Sequence, residues 1–364
     1  MIAAIWKAWA NFRGFDLTGS TVPPMDGPLR PNAKLDAMPV LMELDDVDNL
    51  TAAHDGIFCS SGNDLLTFSM TSDASQLQLS ARCPMDGPVT SIAALGESLA
   101  IAVEGRGILL EGAGTASRPL TIEGLNPSCV TAMAFADPTT LFVAVGSDRH
   151  AASEWKRDLM TKSASGSVWR IETGSGRAER LVGGLEFAAG LALSGKDIFV
   201  AEAWRHRVLA LTGGSQPRIA LAALPAYPGR MTPSASGGFW LAMFAPRNPL
   251  VEFVLKEDEY RRRMVDTIEP AYWIAPALVT GKSFLEPIQG GARKKLNMLK
   301  PWSPTWSTGL VVRCDDRMAM LRSYQSRADG GVHGVTSLCE TGGRLIAGAR
   351  GSGKIVAIDD ETAA

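Results

Sequence analysis

The feature that most limits how this chain can fold is a strand–turn–strand unit that recurs six times. One copy, "EFAAGLALSGKDIFVAEAWRHRVLAL" (Glu186 to Leu211), shows a small-residue lead-in, a short apolar strand, a Gly/Lys/Asp turn and a stronger apolar strand. A hairpin then leads into a third strand. The same pattern begins at Val47, Pro88, Cys129, Tyr227 and Gly334. Short apolar runs at regular spacing, punctuated by turn residues, mark an all-β repeat architecture. A fourth strand follows each of the first five units, in "QLQLSA", "PLTIE", "AERLV", "RIALA" and "AMLRSY". After the sixth unit the chain stops at "DDETAA", and the missing strand is found at the other end, in "PVLME" (Pro39 to Glu43). A terminal strand that completes the last sheet closes a ring without leaving a raw edge. The expected fold is therefore an all-β six-bladed β-propeller over residues 37–364, preceded by an extension over residues 1–36.

Composition narrows the function classes. The net charge is −2 with no block of like charges, so nucleic acid finds no electrostatic footprint. The five cysteines are scattered without CxxC spacing, and the four histidines show no HxH or HExxH pattern. These spacings support neither a zinc site nor a disulfide framework, and the expected location is cytoplasmic. In "MIAAIWKAWANFRGF", Ile2, Ile5, Trp6, Trp9 and Phe12 recur at helical spacing over a stretch too short for a membrane span. Two readings of segment 1–13 stand: a small helix lying on a membrane surface, or a face covered by protein, whether this chain or a partner.

Two insertions interrupt the repeat. Arg149 to Ser165 extends a hairpin of the third blade. A longer one, 249–300, enters the fifth blade, where Asn248 and Pro249 start a helix expected over 249–266 with Leu250, Phe253, Val254, Leu255 and Val265 as its apolar residues. Arg261, Arg262 and Arg263 read as a solvated face or, less simply, as a phosphate or anionic-lipid site. Helices inserted here would form a lid over one mouth of the central channel.

In a propeller the first residues of the innermost strands cluster at one mouth of the channel, where several blades can touch one ligand. These lead-in positions are Asp48 and Asn49, Thr90 and Ser91, Thr131 and Ala132, Ala189, Gly229 and Arg230, and Thr336. Only Asp48 and Asn49 have ligand chemistry for a hard cation, and one blade does not make a cage.

The runs "GSVWRIETGSGRAERLVGGLEFAAGLALSGKDIFVAEAWRHRVLAL", "YPGRMTPSASGGFWLAMFAPRNPL" and "HGVTSLCETGGRLIAG" resemble the strictosidine synthase-like proteins, and "VPPMDGPLRPNAKLD" resembles the lead-in of bacterial members. That family belongs to a six-bladed superfamily that includes paraoxonases and gluconolactonases. The resemblance covers roughly Val22 to Asp359. Its metal-dependent members hold a catalytic calcium with a Glu and several Asn or Asp side chains at the lead-ins. Carried over by position, these fall at Asn49, Thr131, Ala189 and Pro228-Gly229-Arg230, and all four depart from the pattern. A guanidinium beside the ion site would repel a divalent cation, so calcium is disfavoured and no cofactor is expected. The Glu that serves as acid/base in the family's amine–aldehyde condensation falls at Thr336, which cannot transfer protons near neutral pH. Strictosidine synthesis itself is disfavoured as well.

What remains is a neutral-to-cationic pocket for a small organic ligand. Arg230 and His333 would bind a carboxylate or polarise a carbonyl, with Asn49, Thr131, Thr336 and Ser337 as polar partners and Trp204 as a stacking wall. Each has a plainer reading: a hydrogen-bonded strut for Arg230, a satisfied turn residue for His333, cover for a blade edge in Trp204. Two functions stay open: a metal-independent enzyme, either a hydrolase or a carbon–nitrogen lyase or condensing enzyme, or a non-catalytic propeller that captures a ligand or docks a partner.

Overall fold

Alternation of apolar residues with period two, broken every six to eight residues by turns, builds the predicted strands. In the computed structural model they form six four-stranded antiparallel sheets. The structure describes residues 22–359 except Asp55, 72–74, 113–114, Thr121, 214–215 and most of 284–306. The expected helix over 1–13 lies outside the described residues.

The innermost strands of blades one to six are Val47–Ala53, Val89–Leu95, Val130–Asp137, Ala188–Ser194, Ala226–Pro233 and Val335–Thr341. Each blade then runs outward through successive hairpins. The sixth contributes three strands from the end of the chain, and Val40–Glu43 supplies the fourth, pairing antiparallel with Lys354–Ile358 (Val40 opposite Val356, Glu43 opposite Lys354). Leu41 of that strand is buried with Val47, Ile57, Phe68 and Ile346 in a core shared by blades six and one. The ring is thus closed by apolar packing as well as by hydrogen bonds. Before the closing strand, the chain lies along the outer strand of blade five: Gln325 donates from Nε2 to the Leu29 carbonyl at 2.8 Å and from its backbone N to Asn32 Oδ1 at 3.0 Å.

Two elements differ from expectation. The outer strand of blade two is Thr115–Leu120 rather than Pro119–Glu123. The register places Pro119 opposite Leu109, on an outermost strand, where a missing N–H leaves no ladder bond unmade. The helix expected over 249–266 is split at residues 255–257 into Pro249–Val254 and Asp258–Thr267. With Trp155–Thr161 from the third blade as α1, these are α2 and α3. Asn248 caps α2 as expected, its Oδ1 accepting from Leu250 N at 2.8 Å. The buried face consists of Val251, Val254 and Met264, while Phe253 is 58% exposed. Arg261 is buried, unlike exposed Arg262 and Arg263. It donates to the Met160 carbonyl and, at 2.5 Å, to Asp258 Oδ1, so it ties α3 to the end of α1. The two insertions therefore pack on each other. Among the described residues no helix is long and apolar enough to cross a membrane.

Candidate functional site

Every inner strand shifts register near its start, between Asp48 and Thr51, Val89 and Ser91, Val130 and Ala132, Ala188 and Gly190, Pro228 and Met231, and Val335 and Ser337. Such bulges bend the strand and re-aim one side chain. Their product is a cavity of roughly 220 Å³ at one mouth of the channel. It is lined by lead-in residues from every blade: Asp48, Thr90, Thr131, Ala189, Gly229 with Arg230, and Thr336. In blade one the bulge puts Asn49 in the left-handed region (φ +58°), which asparagine tolerates better than most residues. Asp48 consequently faces the mouth. Asn49 turns its amide to Ser60 Oγ (2.7 Å) and the Val89 carbonyl (2.9 Å) and lines the opposite half of the channel.

The floor of the cavity is an ion-pair cluster. Arg230 Nη1 donates to Asp48 Oδ1 at 2.7 Å and to the Thr336 carbonyl at 3.3 Å, and Nη2 donates to the Thr90 carbonyl at 2.8 Å. Thr336 Oγ1 donates to the same Asp48 oxygen at 2.8 Å. Arg350 reaches Asp48 Oδ2 at 3.4 Å and binds Asp46 Oδ1 at 2.6 Å through Nε. Burial alone would raise the Asp48 pKa, but the Arg230 and Arg350 guanidiniums and the hydrogen bonds from Asn49 N and Thr336 hold it below the usual carboxylate range. Arg230 also lines the far half of the channel, so its side chain divides the channel in two.

One wall is aromatic. Phe187 stacks on Trp204 (centroids 4.6 Å apart), and Trp155, Phe244 and Tyr227 surround the same indole at 5.8–6.3 Å. Trp155, Trp204, Phe187 and Phe244 line the cavity. Trp204 is fixed from behind: its Nε1 donates to Asp158 Oδ1 at 2.7 Å. Burial pushes the Asp158 carboxyl up despite the hydrogen bonds it accepts. Val251, Val254, Met264 and Trp273 of the fifth-blade insertion pack into the same apolar cluster.

The lid expected of 249–300 lies partly outside the described residues. Ala152, Ser153 and Trp155 of the third-blade insertion line the cavity; among the described residues of the longer insertion Leu278 lines it too, and Val251, Val254, Met264 and Trp273 back the aromatic wall. The blade-three roof is latched to blade two, with Ser153 donating from its backbone N and its Oγ to the two oxygens of Glu104, each at 2.8 Å. The Glu104 carboxylate also acts electrostatically on the Arg350 guanidinium.

The structure thus brings Arg230, Thr131, Thr336 and Trp204 to one cavity, and leaves Asn49, His333 and Ser337 outside its lining. His333 is buried in the loop before its strand. Its Nε2 donates to the Arg327 carbonyl at 3.1 Å, so Nδ1 accepts from Ser307 Oγ at 2.8 Å, and no ring nitrogen is left for a ligand. Burial also lowers its pKa and keeps it neutral at physiological pH. Ser337 points into the sheet, where its buried Oγ has no hydrogen-bond partner and packs against Gly348. The Thr131 hydroxyl lines the cavity but faces the Ala188 carbonyl at 2.5 Å and the Ala144 carbonyl at 3.1 Å. Residues not singled out in the sequence are Asp46, Glu104, Trp155, Phe187, Phe244 and Arg350. Glu104 and Arg350 lie just beyond the second strands of blades two and six, and "GARGSG" around Arg350 was their one local signal. Among the described residues no group of three or more His, Cys, Asp or Glu is placed to hold a metal ion.

No protein-family model matches the chain, and no curated protein does. Solved structures do. A luciferin-regenerating enzyme aligns with a TM-score of 0.56 at 12% identity, covering 88% of this chain and 93% of that one. A calcium-binding protein, regucalcin, from Agrobacterium tumefaciens aligns at 0.54 and 11% identity over 90% and 93%. A gluconolactonase from Xanthomonas campestris aligns at 0.55 and 11% identity over 88% and 87%. At these identities the shared property is the fold: the chain is a six-bladed β-propeller like those of the gluconolactonase and regucalcin group.

Proposed function

We propose that the mouth cavity binds a small organic molecule with a flat apolar face and a carboxylate or carbonyl end, without a metal ion. The observation that carries this reading is the pairing, in one cavity, of the Trp155–Trp204–Phe187–Phe244 wall with Arg350. Arg230 is fully committed through both terminal nitrogens. Arg350, by contrast, is 37% exposed, and its Nη2 has no partner among the described residues. A guanidinium in one cavity with indole and phenyl groups suits an arene or cyclic ligand that carries one acceptor group.

The arrangement does not suit a divalent ion at Asp48. That carboxylate already faces two guanidiniums, and an added ion would have to share it with both. The resemblance to strictosidine synthase-like proteins supports the propeller and its mouth as the working end; it does not supply the activity.

The test is calorimetric titration of aromatic and alicyclic carboxylates and lactones, in EDTA, into the wild type and Arg350→Gln. Binding to the wild type that falls at least about tenfold in the variant supports the reading, since one charge-assisted hydrogen bond is worth roughly 1.5–3 kcal/mol. Binding that ignores the variant contradicts it.

A second reading, hydrolysis, is favoured by two hydroxyl–carboxylate pairs in the lining, Thr336–Asp48 and Ser153–Glu104, each at 2.8 Å. Asp48 is held ionised by its cations and is a poor proton acceptor, so the pair that this reading uses is Ser153 with Glu104. Ester or lactone turnover lost in Glu104→Gln and retained in Asp158→Asn would support hydrolysis; no turnover by the wild type across both substrate classes would leave the binding protein.

A further inference from the structure

The Arg230 guanidinium sits where a free cation would. Three oxygens converge on its two terminal nitrogens: Asp48 Oδ1 at 2.7 Å, the Thr90 carbonyl at 2.8 Å and the Thr336 carbonyl at 3.3 Å. They come from blades one, two and six, while the cation comes from blade five. No local turn assembles them; closure of the ring does. A carboxylate with backbone carbonyls is the donor set chosen by hard divalent ions, not one chosen by a ligand's apolar face. The Nε of Arg230 is buried without a hydrogen-bond partner, so the group is held by the charge and fork of its far end.

We infer that Arg230 is a tethered, resident cation: it fills an oxygen cradle that would take a divalent metal ion from solution if the side chain were shortened. The inference concerns the floor of the channel and does not depend on which organic ligand the cavity accepts. In the wild type the floor is then assembled by the chain's own charge, and chelators leave it intact. Shortening residue 230 leaves Asp46, Asp48 and Glu104 facing Arg350 alone, which turns the local field further toward a cation. Arg350, 3.4 Å from Asp48 Oδ2, stays beside the cradle and keeps the acquired site weak. Affinity in the millimolar class, like that of extracellular calcium modules, is the expectation.

The experiment is native mass spectrometry with thermal melts of the full chain, as wild type and as Arg230→Ser, in EDTA and in millimolar calcium chloride. The wild type should carry no stoichiometric calcium and melt identically in both. Arg230→Ser should melt below the wild type in EDTA, recover by several degrees in calcium, and show one bound ion; folding only in calcium supports the inference equally. A calcium adduct on the wild type with a melt shift overturns it. So does an Arg230→Ser protein that takes up no ion, or that folds in neither condition.

Discussion

Arg230 Nη1 lies 2.7 Å from Asp48 Oδ1, a contact between residues 182 positions apart that crosses the channel from blade five to blade one. Both side chains are largely withdrawn from water, 20% and 10% exposed. A pair in this setting is weak evidence for net stability, but removing one partner strands the other's charge. Asp48→Asn should therefore destabilise the protein by about 3–5 kcal/mol in urea unfolding. A loss under about 1 kcal/mol would mean that the pair is solvated in solution.

The same carboxylate sets an acid limb. Its folded pKa lies below its unfolded value, so its contribution is present above the ordinary carboxylate range and disappears as pH falls through the folded value. The contribution of Asp48 to the unfolding free energy of the wild type should hold down to about pH 4 and be lost below it, and the difference between wild type and Asp48→Asn should shrink over the same acid limb.

Asp158 has the opposite sign. Burial raises its folded pKa, so the carboxylate contributes stability at low pH that is lost as pH rises through the folded value. Asp158→Asn keeps an Oδ1 acceptor for Trp204 and should change stability at neutral pH by less than about 1 kcal/mol. Asp158→Leu orphans the indole N–H and should cost roughly 1–3 kcal/mol, with a shift in tryptophan emission.

Gly190 tests the packing of blades four and five. A Cβ at this position would fall 2.1 Å from the Gly229 carbonyl oxygen, immediately before Arg230. Because the neighbour is backbone, it cannot rotate away. Gly190→Ala should cost at least about 3 kcal/mol in unfolding measurements, the upper end for overpacking.

Much of the fold was legible because a propeller writes each blade separately into the chain. The alternation in Val335–Thr341 or Ala188–Ser194 needs no distant partner to be read, and Val40–Glu43 was found by counting strands. The lead-in positions that line the mouth followed from the same count. Side-chain direction within each pair did not, because it turns on bulges. The left-handed Asn49 moves that side chain to the far half of the channel and gives the mouth to Asp48. A one-residue slip reverses a strand's faces, and residue types alone do not show the slip. His333 drew attention as a titratable residue before a strand, but its ring is used by Ser307 and Arg327, neither adjacent to it in sequence. Glu104, Arg350 and Trp155 come from loops and an insertion that meet only once the ring closes.

The central claim, an organic ligand held between the aromatic wall and Arg350 with no metal, is tested most directly by crystals soaked with aromatic carboxylates in the presence of calcium. The account predicts the ring against Trp155 and Trp204, the carboxylate on Arg350 Nη2, and Arg230 still on Asp48. Fragments bound elsewhere, or a calcium ion on Asp48 with Arg230 displaced, would contradict it.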